Sequence, residues 1–183
     1  MGWTKTNFEG VWLFEPKIWD DQRGYFIESF NADGLPDELK QLNFVQDNEA
    51  RSTRGVLRGL HYQLPPFAQS KLVRCVVGEV LDVIVDVRPE SATYGKHLSV
   101  ILNEINKKQL FVPHGFAHAY AVLSDIAIFA YKCDQYYAPQ QEGGLKYDDP
   151  SLNINWILPN DDMIVSDKDL KLPVFGDHKP FLR

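Results

Sequence analysis

The sequence predicts an all-β fold, an antiparallel sandwich or barrel, on three observations. Short runs rich in β-branched and aromatic residues recur at near-regular spacing, turn residues bound each of them, and only one short stretch has helical character. The runs cover residues 71–77, 80–88, 97–102, 109–112, 119–123 and 126–133, each closed off by Pro, Gly, Asn or Asp. Gly78 and Glu79 stand alone between the first two runs, the two-residue spacing of a hairpin. Within the second run Leu81, Val83, Val85 and Val87 alternate with Asp82, Ile84, Asp86 and Arg88, which sets an apolar face against one that carries acids. The helical stretch is 36–42. Residues 139–183 hold five prolines and several acidic pairs, the composition of an irregular tail that wraps the strands.

A chain of 183 residues suits one domain, 1–183, with a core large enough to need no disulfide. Cys75 and Cys133 lie far apart in apolar or aromatic surroundings without a CxxC partner, as reduced thiols of a cytoplasmic protein would. Residues 1–14 lack the continuous apolar run of a signal peptide, and no segment approaches the ~20 apolar residues of a membrane span. A net charge of −6 disfavours nonspecific binding to nucleic acid. An anionic ligand must therefore meet a local basic cluster.

The chemistry-bearing residues begin at PHGFAH, 113–118, where Pro and Gly set a tight turn that aims His118 from the following strand. PxGxxH is the second motif of cupin barrels. A metal-binding cupin carries HxH and a nearby Glu in its first motif, because a metal needs three or four converging N and O ligands. Here the matching stretch is GLHYQ, with Gln63 in place of the second His and no Glu before Glu79. A metal site is therefore not expected, and His61 is left as a candidate general base, since an imidazole titrates near neutral pH.

From 44 to 74 the chain reads FVQDNEARSTRGVLRGLHYQLPPFAQSKLVR, which resembles the signature of the dTDP-4-dehydrorhamnose 3,5-epimerases. The resemblance extends to DQRGYFIESF at 21–30, GEVLDVIVDVRPESATYG at 78–95, QLFVPHGFAHAYAVLS at 109–124, YKCDQYYAP at 131–139 and SDKD at 166–169. It implies a cupin-like antiparallel β-barrel, or jelly roll, that needs no cofactor and inverts C3 and C5 of a dTDP-linked 4-keto-6-deoxyglucose. Both carbons flank the ketone, so the reaction calls for a base on one face, an acid on the other and a donor at the developing enolate oxygen.

The same resemblance assigns His61 as base, Asp169 as the carboxylate that orients its imidazole, Lys71 as the donor near O4 and Tyr131 as acid. Asp167 and Asp82 are rivals to Asp169 on residue type alone, as Tyr136 and Tyr137 are to Tyr131. Arg23, Arg58 and Lys168 match positions that hold the diphosphate or sugar, and Arg suits phosphate through its paired donors. Glu28, Gln46 and Asn48 match nucleotide-binding positions, Phe26 and Tyr136 offer stacking faces, and His118 and Glu142 complete the set. The DxRG segment of the family reaches the neighbouring subunit's site, which implies a homodimer. The family usually has Gly and an aromatic after FAH, where this chain has Ala119 and Tyr120, a small change that adjoins His118. Strict alternation also sends Arg58 and His61 to opposite faces, which a bulge at Gly59 would reconcile. Alternative readings are an epimerase of one centre only, a ketoisomerase on the same substrate, a metal-dependent cupin, and a sugar-nucleotide binding module.

Overall fold

The structure, a computed structural model, describes residues 2–182. In chain order its strands are β1 (Gly2–Lys5), β2 (Trp12–Glu15), β3 (Ile18–Asp21), β4 (Gly24–Ile27), β5 (Gln46–Thr53), β6 (Val56–Gln63) and β7 (Lys71–Val77). There follow β8 (Glu79–Asp86), β9 (His97–Asn103), β10 (Gln109–Val112), β11 (Phe116–Val122), β12 (Ile126–Cys133), β13 (Glu142–Gly144) and β14 (Ile164–Val165). One sheet runs β1-β2-β10-β7-β12-β5 and the other β13-β6-β11-β8-β9, with β14 added parallel to β6. The remaining pairs are antiparallel, and β3 and β4 form a separate hairpin. This is the two-sheet jelly roll that the all-β reading anticipated. Among the described residues no helix is long and apolar enough to cross a membrane.

The expected hairpin between 71–77 and 80–88 does not form. β7 lies between β10 and β12, whereas β8 lies between β11 and β9 in the facing sheet. At Gly78 the chain therefore changes sheets. That residue has φ +76°, and a Cβ there would sit 2.1 Å from the Ile126 carbonyl oxygen, so only glycine fits the corner. Two-residue spacing limits the distance between strand ends; it does not say which strand each will pair with.

The faces of β8 also take unexpected roles. Val80 and Ile84 point between the sheets, into a core with Val73, Leu110, Phe116, Val122 and Phe129. Asp82 and Asp86 are completely buried. Leu81, Val83, Val85 and Val87 point the other way and are covered by Leu145, Leu152, Trp156 and Phe181 of the C-terminal tail. The tail is irregular, as expected, but it closes a second apolar layer, in which each fully buried Leu or Phe contributes about 1.5–3 kcal/mol. The expected helix 36–42 is reduced to a 3₁₀ turn, Asp37–Leu39, whose Leu39 packs with Leu35 on Trp12, Leu72 and Phe111. A stretch this short cannot repay α-helix nucleation and is held by its packing.

Candidate active site

The site is built around an irregularity in β6. His118 of β11 pairs with His61 and Tyr120 pairs with Arg58, so two steps on β11 span three on β6. The extra residue is Gly59, at φ +120°, where a Cβ would lie 2.4 Å from the His118 carbonyl oxygen and 2.6 Å from Ala119 Cβ. This bulge resets the alternation. Leu57, Leu60 and Tyr62 face the tail layer, while Arg58 and His61 both line the cavity between the sheets.

The bulge also anchors the carboxylate behind His61. The Gly59 amide donates to Asp169 Oδ2 at 3.2 Å, while Asp169 Oδ1 lies 2.7 Å from His61 Nε2. One buried carboxylate thus fixes both the strand and the ring, and Nδ1 is left with no partner among the described residues. Burial acts to raise the Asp169 pKa, but hydrogen bonding and charge from His61, the Gly59 amide and the Ser166 hydroxyl hold it below the usual carboxylate value. Asp167 is exposed, and Asp82 serves the other histidine, with Oδ2 2.8 Å from His118 Nε2. Each histidine has its own carboxylate. Among the described residues no group of three or more His, Cys, Asp or Glu converges as a metal-ligand set.

The opposite wall comes from the other sheet. Lys71 of β7 and Tyr131 of β12 line the same cavity as His61, with Lys71 Nζ 5.9 Å from the centre of the Tyr131 ring. Burial pushes the Tyr131 phenol up to about 12, helped by nearby Cys133 and Tyr120 and opposed by Arg58. It remains protonated at neutral pH. Burial draws the Lys71 ammonium down from its ordinary value, with Cys133, Asp82 and Glu142 acting in the opposite sense. The cavity has two lobes that share His61, Lys71 and Tyr131. One, of about 520 Å³, includes Arg58, His118, Tyr120, Lys168 and Asp169. The second, of about 310 Å³, includes Gln46, Asn48, Gln63, Gln69, Tyr137 and Glu142.

A hydrogen-bonded chain follows the rim of the smaller lobe. Gln46 Nε2 donates to Asn48 Oδ1 at 3.0 Å, the Tyr137 amide donates to Gln46 Oε1 at 3.2 Å, and the Tyr137 hydroxyl donates to Glu142 Oε2 at 3.3 Å. Lys168 pairs with the same Glu142 carboxylate. Gln63, where a metal cupin would carry histidine, is buried. Its amide donates to the Phe67 and Tyr136 carbonyls at 2.6 and 3.2 Å and accepts from the Ala138 amide at 2.7 Å. That bracket directs the Tyr137 side chain to the cavity, whereas Tyr136 is 63% exposed and does not line it.

Arg23, Phe26 and Glu28 are not brought to this cavity within the chain. Arg23 and Phe26 lie on the β3–β4 hairpin, with Arg23 paired to Asp21 and Phe26 68% exposed beside Trp19. Glu28 accepts from Asn31. Tyr120, Gln69 and Ser166 are lining or supporting residues without a functional role in the sequence reading, and Tyr137 entered it only as a rival acid. Ser166 was within reach, because it opens the SDKD motif and its hydroxyl accepts from the Asp169 amide at 3.2 Å.

A jelly roll of cupin type with an oriented imidazole on one wall and a protonated phenol and an amine on the other is an enzyme equipped to move protons on and off carbon. The family model described as dTDP-4-dehydrorhamnose 3,5-epimerase matches residues 5–177. The chain belongs to that family. It is 50% identical over 183 residues to the dTDP-4-dehydrorhamnose 3,5-epimerase of Shigella flexneri, covering 100% of both chains. The crystal structure of the enzyme of that name from Elizabethkingia anophelis superposes with a TM-score of 0.90 at 47% identity, covering 97% of each chain. A 3,5-epimerase from Legionella pneumophila, solved in complex with dTDP-4-keto-L-rhamnose, gives a TM-score of 0.89 at 46% identity, over 94% of this chain and 92% of that one.

Proposed function

We propose that residues 1–183 form one epimerase domain that converts dTDP-4-dehydro-6-deoxy-D-glucose to dTDP-4-dehydro-L-rhamnose by inverting C3 and C5. The observation that carries this reading is the His61–Asp169 pair, 2.7 Å apart, set across the cavity from Tyr131. A C–H beside a ketone becomes removable only when the enolate oxygen is stabilised, and a single charged donor in a dry site is worth about 10²-fold or more. Lys71 supplies that donor at O4. His61 takes the proton from carbon and exchanges it with solvent, and Tyr131 delivers a proton to the opposite face and is recharged from solvent. No electrons change hands overall, so the step requires no nicotinamide.

Gln46 and Asn48 present amide groups suited to thymine, while Arg58 and Lys168 offer positive charge to the diphosphate or sugar. The β3–β4 hairpin bears Arg23 and the exposed rings of Trp19, Tyr25 and Phe26, which supports its insertion beside a second subunit's cavity in a homodimer. In that arrangement Arg23, Phe26 and Glu28 complete the partner's nucleotide site. The net charge of −6 and the buried free cysteines Cys75 and Cys133 favour a cytoplasmic enzyme that does not bind nucleic acid. Incubation of the purified protein with the 4-keto sugar nucleotide in deuterated water tests the reading: deuterium should enter C3 and C5, both inverted. Absence of exchange at either carbon would overturn it, and inversion at one centre alone would reassign the chain as a single-centre epimerase.

A further inference from the structure

Among the described residues, three buried side-chain polar atoms have no hydrogen-bond partner: Asp82 Oδ1, the Tyr120 hydroxyl and His178 Nε2. The first two are not scattered. Tyr120 and Asp82 face each other in the β11–β8 register, and Tyr120 lies two residues beyond His118 on the same face of β11. Tyr120 is 4% exposed, its ring stacks on Phe129 with centroids 4.1 Å apart, and its side chain lines the larger lobe that contains His61, Asp169, Lys71 and Tyr131. Burial raises the Tyr120 pKa, and Ser52 and Arg58 approach closely enough to draw it back in part, but Arg58 Nε is bonded to Ser52 Oγ at 3.3 Å and no hydrogen bond of ordinary length and angle reaches the phenol. A phenylalanine would fill the same stack without stranding a hydroxyl. Burying an unsatisfied hydroxyl is costly, so its partner is expected to arrive with the ligand.

We infer that the Tyr120 hydroxyl is a specificity-determining contact to an oxygen of the bound hexose. This deepens the proposed function and rests on it. The hexose, and not the nucleotide, is the ligand moiety, because Tyr120 lies in the lobe that adds Asp169 and His118 to the shared His61, Lys71 and Tyr131, while Gln46, Asn48 and Tyr137 lie in the other. The hydroxyl makes the site discriminate between sugars that present an oxygen at this point and those that do not, since rejection is strong when a buried polar group is left unpaired.

Tyr120→Phe is the test, read by steady-state kinetics on the 4-keto sugar nucleotide, competitive inhibition by dTDP, and thermal melting of the ligand-free protein. The inference predicts that kcat/KM falls about 10-fold, the size of one hydrogen bond. The dTDP inhibition constant stays unchanged and Tm holds or rises, because removing a stranded hydroxyl relieves the free protein. Unchanged kcat/KM in an otherwise active background would overturn it. So would an equal loss of dTDP affinity, or a fall in Tm, which would make the hydroxyl a nucleotide contact or a structural bond. If the unsubstituted protein itself shows no epimerisation, the functional proposal is what fails, and the melting comparison still separates a stranded hydroxyl from a structural one.

Discussion

Replacing Asp169 by Asn perturbs two hydrogen bonds at once, and the geometry states what each will do. Both neighbours call for an acceptor: the Gly59 amide at 3.2 Å from Oδ2, and His61 Nε2 at 2.7 Å from Oδ1 when that nitrogen carries its proton. Asparagine has one acceptor oxygen and one NH₂. With the NH₂ toward His61, the ring must present a bare Nε2 and move its proton to Nδ1, the nitrogen left for the substrate, so the base is already protonated. With the NH₂ toward Gly59, two donors confront each other in a site where the native carboxylate is only 5% exposed. Loss of a working base costs roughly 10²- to 10⁴-fold in kcat. Loss of a charge-assisted bond costs about 1.5–3 kcal/mol, and each kcal/mol shifts Tm by roughly 2–4 °C for a chain of this size. Turnover by coupled assay, with circular dichroism melts alongside, reads both effects. An Asn variant within ten-fold of normal turnover would refute the orienting role of Asp169.

Three further outcomes follow from the same geometry. Gly59→Ala places a methyl 2.4 Å from the His118 carbonyl at φ +120°, so strain and overpacking should cost about 2–5 kcal/mol, and turnover should fall because Arg58, His61 and Asp169 all depend on the bulge; an alanine variant with normal Tm would remove the bulge from the account. Burial lowers the Lys71 pKa, so between the folded value and the ordinary 10.5 the unfolded chain binds more protons, and stability gains with rising pH while the active ammonium is lost. The alkaline limb of kcat attributed to Lys71 should thus lie below 10.5, and Lys71→Met should melt higher than the parent at pH 7 yet turn over slowly; a variant that melts lower contradicts this. His61→Ala should lose both epimerisation and solvent exchange with the fold intact by circular dichroism, and retention of exchange would move the base elsewhere.

Most of the site residues were named through the resemblance of their motifs, and one feature that positions them was legible from local alternation alone. The conflict between Arg58 and His61 under strict alternation pointed to a bulge at Gly59, and the register of β6 against β11 contains it. GLHYQ indicated that residue 63 would not be a metal ligand, but nothing in it revealed that Gln63 brackets residues 136–138 and so directs Tyr137, instead of Tyr136, to the cavity. Long-range pairing was the part that alternation could not convey. A strand of alternating type looks the same whether its neighbour lies in its own sheet or the facing one, and so β7 and β8 read as a hairpin when they meet at a corner. Alternation placed the acids of β8 on one face but could not say whether that face would be buried, for a related reason. Asp82 and Asp86 are buried because His118 in one case, and Arg88, Ser91 and Thr93 in the other, meet them inside the fold. Those partners come from positions whose side-chain direction depends on the tertiary arrangement.

The central claim is that base and acid stand on opposite walls, His61 on β6 of one sheet and Tyr131 on β12 of the other. Tyr131→Phe in deuterated water tests it most directly, with label and configuration at C3 and C5 read together by NMR. His61 can still remove a proton, and the Lys71-stabilised enolate can still form, but only the original face has a donor. The account predicts deuterium entering at C3 or C5 with retained configuration while the yield of inverted sugar falls sharply. Inversion of both centres at nearly the normal rate would contradict it, as would the disappearance of exchange together with inversion.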